Sequence, residues 1–129
     1  MDKKWRILFC DETESLCPVT EFINQCPPRH QVKVLRLLSL LEEKGPVLPR
    51  PYADLLRDGI HELRFTLSRE NVRVLYFFCF RKFIVLYNVF LKNTQKVPEK
   101  QIREVMKYRE QFLEKASPDK LEEAWNAVF

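Results

Sequence analysis

The chain has 129 residues, 46% of them hydrophobic, and a net charge of +4, enough for one domain whose core needs no staple. Two glycines cannot build a Walker or Rossmann turn, and no HExxH or EF-hand pattern occurs, so nucleotide-cofactor enzymes are excluded and neither cofactor nor metal is expected. The modest total charge does not mark a nucleic-acid binder, so the distribution of charge carries more weight than its sum.

The opening MDKKWRILFCDE has no signal-peptide apolar region, and no run approaches the roughly 18 apolar residues of a membrane span, which predicts a soluble cytoplasmic protein with no membrane partner. Cys10, Cys17, Cys26 and Cys79 form no CxxC pair and read as reduced, mostly buried thiols. Trp5 to Cys10 reads as a first strand. Pro18, Val19, Phe22 and Ile23 suggest a two-turn helix stopped by Pro27 and Pro28. A second helix from about Pro28 carries Val34, Leu37, Leu38 and Leu41, widened by Leu35 and Leu40, and ends at Gly45-Pro46. Val47 to Gly59 reads as a connecting loop, with one helical turn near Ala53 to Leu56.

From Ile60 the period becomes two, which predicts an antiparallel meander of three strands: Ile60 to Leu67, Val72 to Cys79 and Phe83 to Lys92. A loop over Ser68 to Asn71 sets Leu67 opposite Val72, making Arg64 and Arg73 diagonal neighbours. A turn at Arg81-Lys82 sets Phe80 opposite Phe83, Arg73 opposite Phe90 and Leu75 opposite Asn88. Strand parity then gathers Glu62, Arg64, Thr66, Arg73, Asn88 and Lys92 on one face, together with Leu75, Phe77, Leu86 and Phe90. Val85 and Tyr87 fall on the core face with Leu63, Phe65 and Tyr76. A third helix follows Pro98 to about Ala116, with Ile102, Val105, Met106, Phe112 and Leu113 on its apolar side. Ser117-Pro118 caps a last short helix. The expected class is α+β, with a domain over residues 1–116 and a helical extension over 117–129.

Residues 60–110 hold eleven Lys/Arg against five Asp/Glu, a net of +6, while the rest of the chain is at −2. This suits either a polyanion partner or a solvated basic surface. Arg73 inside an apolar strand needs a partner, either Glu62 or an acid of the third helix, or else a phosphate, which guanidinium groups bind bidentately. His30 reads as solvated at a helix start and His61 as lying on the core side. The remaining chemistry is that of cations, which can align an RNA 2′-hydroxyl on its adjacent phosphate and stabilise the charge that develops.

The stretches DGIHELR (58–64), RVLYFF (73–78) and IVLYNVFLKNTQKVP (84–98), with PVTEFI (18–23) upstream, resemble the HigB-like, phage-derived branch of RelE/ParE toxins, over residues 5 to 115. The resemblance implies a RelE-like fold and the toxin of a type II toxin–antitoxin pair, a ribosome-dependent mRNA endonuclease held by a helix-turn-helix antitoxin. Its partners are then mRNA and the ribosome, and a homodimer is compatible. Carried over by motif, Arg64, Arg73, Lys92 and Lys96 are the catalytic candidates, and Thr66, Asn88, Thr94 and Gln95 the substrate-binding ones. Where relatives read LLHGF in the third meander strand, this chain has Tyr87-Asn88-Val89-Phe90, so no histidine proton chemistry is available there. Two alternatives stand beside the nuclease: a ParE-like gyrase inhibitor without hydrolysis, and an inactive relative that only binds its antitoxin.

Overall fold

The computed structural model describes residues 4–10, 17–93 and 96–128. In chain order the elements are β1 (Arg6–Phe9), α1 (Pro18–Gln25), α2 (Pro28–Lys44), β2 (Ala53–Arg57), β3 (Ile60–Leu67), β4 (Glu70–Cys79), β5 (Phe83–Leu91), α3 (Glu99–Lys115) and α4 (Pro118–Val128). Among the described residues the strands form one sheet in the order β1-β5-β4-β3-β2, with β1 parallel to β5 and the other pairs antiparallel. The class is α+β, as expected, with one more strand than the sequence reading proposed.

That strand is β2, which replaces the expected loop and helical turn. It pairs Ala53 with Leu63, Asp54 with Glu62 and Leu55 with His61. Asp58 and Gly59 turn the chain back with φ of 52° and 77°, the left-handed pair that a tight hairpin prefers. At the end of α2, Gly45 combines a φ of 53° with Trp5 packed so close that an added Cβ would lie 2.2 Å from the indole nitrogen. Any other residue there would displace the ring.

Both meander turns differ from expectation. Ser68 and Arg69 alone turn β3 into β4, at φ 47° and 70°, so Leu67 faces Glu70 and Arg64 faces Arg73 directly. The shift is two residues, which preserves parity. Between β4 and β5 the turn has three residues, Phe80 to Lys82, and Cys79 rather than Phe80 faces Phe83. This odd shift is cancelled by an extra residue, Tyr87, where the ladder steps from Tyr76↔Leu86 to Leu75↔Asn88, as in a β-bulge. Arg73↔Phe90 and Leu75↔Asn88 therefore hold, while Val85 joins Phe77 on one face and Leu86 joins Tyr76 on the other, the reverse of the parity assignment. The Tyr87 carbonyl at the bulge accepts the thiols of Cys10 (3.2 Å) and Cys17 (3.6 Å), and the four cysteines are all reduced.

The two faces carry separate cores. Under α1 and α2 lie Leu63, Phe65, Val74, Tyr76, Ile84 and Leu86 with Val34, Leu38 and Leu41. Under α3 and α4 lie Ile60, Leu75, Phe77, Phe83 and Val85 with Ile102, Val105 and Leu121. Leu35 and Leu113, expected on the buried stripes, are exposed; Leu37 packs against the core as expected, and Tyr108 joins it. Ser117 Oγ accepts the Lys120 N–H at 3.2 Å and caps α4. Glu122 of α4 receives Arg6 and Lys82, and Arg6 stacks 4.4 Å above Trp125. No helix among the described residues is long and apolar enough to cross a membrane.

Candidate functional site

The α3/α4 face of the sheet is covered only over part of its length. Beyond Leu75 the row Arg64↔Arg73↔Phe90 and the row Thr66↔Asn71 stand at the uncovered end. Lys92 follows β5 there, its N–H donating to the Asn71 carbonyl at 2.8 Å. By parity it shares the face of Asn71 and Arg73. Arg64, Thr66, Arg73 and Lys92 are thus brought together. Lys96 is exposed and lies past the strand end. Thr94 and Gln95 lie outside the described residues.

The two arginines are not free charges. Glu62, fully buried in the preceding row, accepts Arg64 Nε at 2.6 Å through Oε1, and its Oε2 lies 3.6 Å from Arg73 Nε. Of the two expected partners for Arg73, the structure selects Glu62. The Arg73 contact is too long for a hydrogen bond, leaving both Arg73 Nε and Glu62 Oε2 without a hydrogen-bond partner. Arg73 Nη1 donates to the Val72 carbonyl at 3.0 Å. Burial pushes the Arg73 pKa down, Glu62 opposes this, and the nearby Arg64 charge adds to it. The guanidinium is nonetheless charged at any physiological pH. The two atoms left open are both buried, so an anion would meet the pair through the outward Nη groups of the guanidiniums.

The extra strand and the turn before it add two residues absent from the expected site. Asp54, opposite Glu62, lies 3.3 Å from Arg64 Nη2 and 2.7 Å from Arg50 Nη2. Arg50 donating to its carboxylate holds Asp54 below the usual range. The result is a chain of alternating charges, Arg50, Asp54, Arg64, Glu62 and Arg73, that fixes both central guanidinium groups in place. Asp58-Gly59 between two apolar-polar stretches was the available signal for β2, and hence for Asp54.

Asn88 sits one row in from the arginines, beside Leu75. Its Nδ2 donates to Gln101 Oε1 of α3 at 2.5 Å, and its Oδ1 is buried without a partner. It is therefore held under α3 and not at the open end. His61 points to the opposite face, stacked 5.4 Å from Tyr76 and edge-on to Phe78 at 4.9 Å. His30 is half-buried, its Nε2 lying 3.1 Å from Ser68 Oγ.

A family model described as Phage derived protein Gp49-like (DUF891) matches residues 21–110. The chain belongs to this family. Gp49-like proteins are RelE/HigB-type toxins of toxin–antitoxin pairs, which implies an antitoxin partner. The match takes in every described candidate residue, while β1 and α4 fall outside it. A search of the curated proteins finds no match to this Gp49-like chain.

Proposed function

We propose that this protein is a HigB-like mRNA interferase acting on ribosome-bound message in the cytoplasm and neutralised by a helix-turn-helix antitoxin. The observation that carries the reading is the direct opposition of Arg64 and Arg73 at the open end of the sheet. Both are oriented by one buried carboxylate, and Lys92 lies on the same face. Two guanidinium groups side by side match the non-bridging oxygens of one phosphate. Attack of the RNA 2′-hydroxyl on that phosphate yields a cyclic phosphate and a 5′-hydroxyl. The arginines stabilise the phosphorane charge, and Lys92 and Lys96 supply the cationic groups near the leaving oxygen. Arginine cannot act as base, so proton removal falls to a lysine or to water. Thr66, Thr94 and Gln95 contribute substrate contacts in this reading, and Asn88 buttresses the site through Gln101. Residues 1–116 constitute the toxin domain, and the 117–129 segment braces it through Glu122.

A translation reaction supplied with purified protein tests this. Primer extension should reveal cuts inside translated codons, and none in message without ribosomes. Inhibited DNA supercoiling with intact message would instead favour the gyrase reading. The position of Asn88, its amide tied to Gln101 of α3, keeps the inactive relative as the second reading. Expression without growth arrest, from folded protein, would favour it.

A further inference from the structure

Strand β2 begins at Ala53, opposite Leu63, and once the Tyr52 carbonyl has accepted the Arg64 N–H at 2.8 Å the β3 edge has no further strand beside it. Between that edge and α2 lies a groove of about 590 Å³, within the range of small-ligand sites. Its floor is apolar, with Leu37 and Phe65 at the base and the half-exposed ring of Tyr52 on one wall. Its rim is cationic: Arg64 and Arg73 from the sheet, Lys33 and Arg36 from α2. No Asp or Glu lines it.

Lys33 and Arg36 differ from the sheet arginines. Neither reaches a carboxylate within ion-pair distance among the described residues. Lys33 Nζ instead donates to the Thr66 carbonyl at the strand edge, and Arg36 is exposed. Three residues apart, they project from one side of the helix. They lie outside the basic stretch from 60 to 110, so a count of charge along the chain does not reveal them.

We infer that this groove is a nucleotide subsite. It takes one nucleotide of single-stranded RNA adjacent to the phosphate held by Arg64 and Arg73, the base against Tyr52 and the next phosphate on Lys33 and Arg36. The inference rests on the reading of the arginine pair as an RNA-phosphate site. An apolar, aromatic floor with unneutralised cations at the rim fits a base joined to phosphates, since aromatic faces accept any base by stacking while cations track the backbone. An acidic peptide would satisfy the rim but leave the floor empty.

The test is amide NMR of the full chain titrated with an RNA trinucleotide whose 2′-hydroxyls are methylated, so that attack on phosphate is blocked. Saturating shifts are expected at Lys33, Tyr52 and Phe65. The Lys33→Ala/Arg36→Ala double variant should weaken binding at least about tenfold with a nearly unchanged melting temperature, the cations being exposed and without a carboxylate partner. Tyr52→Ala should weaken it about fivefold or more. Shifts confined to the Asn88 and Lys92 side, an affinity indifferent to these substitutions, or equal binding of a di-aspartate peptide at the groove would each overturn the subsite. The outcome is separable from that of the nuclease reading. Binding at the groove by a protein that cuts no message keeps the subsite and rejects the nuclease, whereas cutting without binding at the groove does the reverse.

Discussion

The two ends of β4 share a sheet face but not a fate. From Leu75 to Cys79 the strand lies under α3, with Phe77 fully buried and in edge contact with Phe112 at 5.8 Å. Two residues earlier the same face presents Arg73, beside Arg64 and beyond the helix. One end is held by burial of apolar area, the other by a chain of ion pairs around Glu62. Substitutions in the covered end should therefore change stability, and those in the open end should change what the protein does.

Phe77→Ala should show the largest stability loss, about 3–5 kcal/mol in urea denaturation, because the ring is enclosed and α3 can close only partly over the void. Glu62→Ala should come next, at roughly 3 kcal/mol, because it leaves Arg64 and Arg73 facing each other across adjacent strands without their shared counter-charge. It should also reduce message cleavage, since both guanidinium groups lose the atom that orients them. A Glu62→Ala protein as stable as the parent would mean that the ion-pair chain is ornamental to the fold.

Arg73→Met reverses the balance. Oε2 of Glu62 already lacks a hydrogen bond, and Arg64 still holds Oε1 at 2.6 Å, so the stability change should stay under about 1 kcal/mol. Cleavage in the translation reaction should fall by about a hundredfold or more, the usual cost of removing one charged donor from a developing oxyanion. Unchanged cleavage by folded Arg73→Met would remove the open end from the mechanism.

Much of this contrast was legible in the sequence. Alternation from Ile60 onward placed Arg64 and Arg73 on one face, and a loop misjudged by two residues could not move them off it. Around Tyr87 legibility failed, because a bulge adds one residue without a glycine or other local marker, and Val85 and Leu86 exchanged faces. The alignment of Arg73 with Phe90 survived only because the bulge offset a turn one residue longer than expected. β2 was hidden for another reason: Pro49 and Pro51, just ahead of it, outweighed an Asp-Gly pair that is itself a strong hairpin signal. With β2 unseen, Asp54 had no place beside Glu62. Nor could spacing show that Lys33 and Arg36 border the groove where that strand begins.

His61 supplies the smallest effect and the sharpest check on which face does what. It neighbours Glu62 in sequence but stacks on Tyr76 and Phe78 across the sheet. Burial there disfavours the imidazolium and lowers its pKa from the ordinary 6.5, with Asp54 only partly opposing. A depressed folded-state pKa means that the unfolded chain binds more protons between the two values, so stability rises with pH through that window. The contribution of His61 is complete above 6.5 and is lost as pH falls toward the folded value. Urea midpoints should accordingly decline below pH 6.5, by an amount worth up to about 1 kcal/mol for each unit by which the pKa is lowered. His61→Gln should flatten that decline, leaving only the carboxylate losses at lower pH. The same substitution should leave the pH profile of cleavage unmoved, because the ring faces away from Arg64 and Arg73. A cleavage profile that shifts with His61→Gln would place a proton-transfer role on the covered face and dissolve the division between the two.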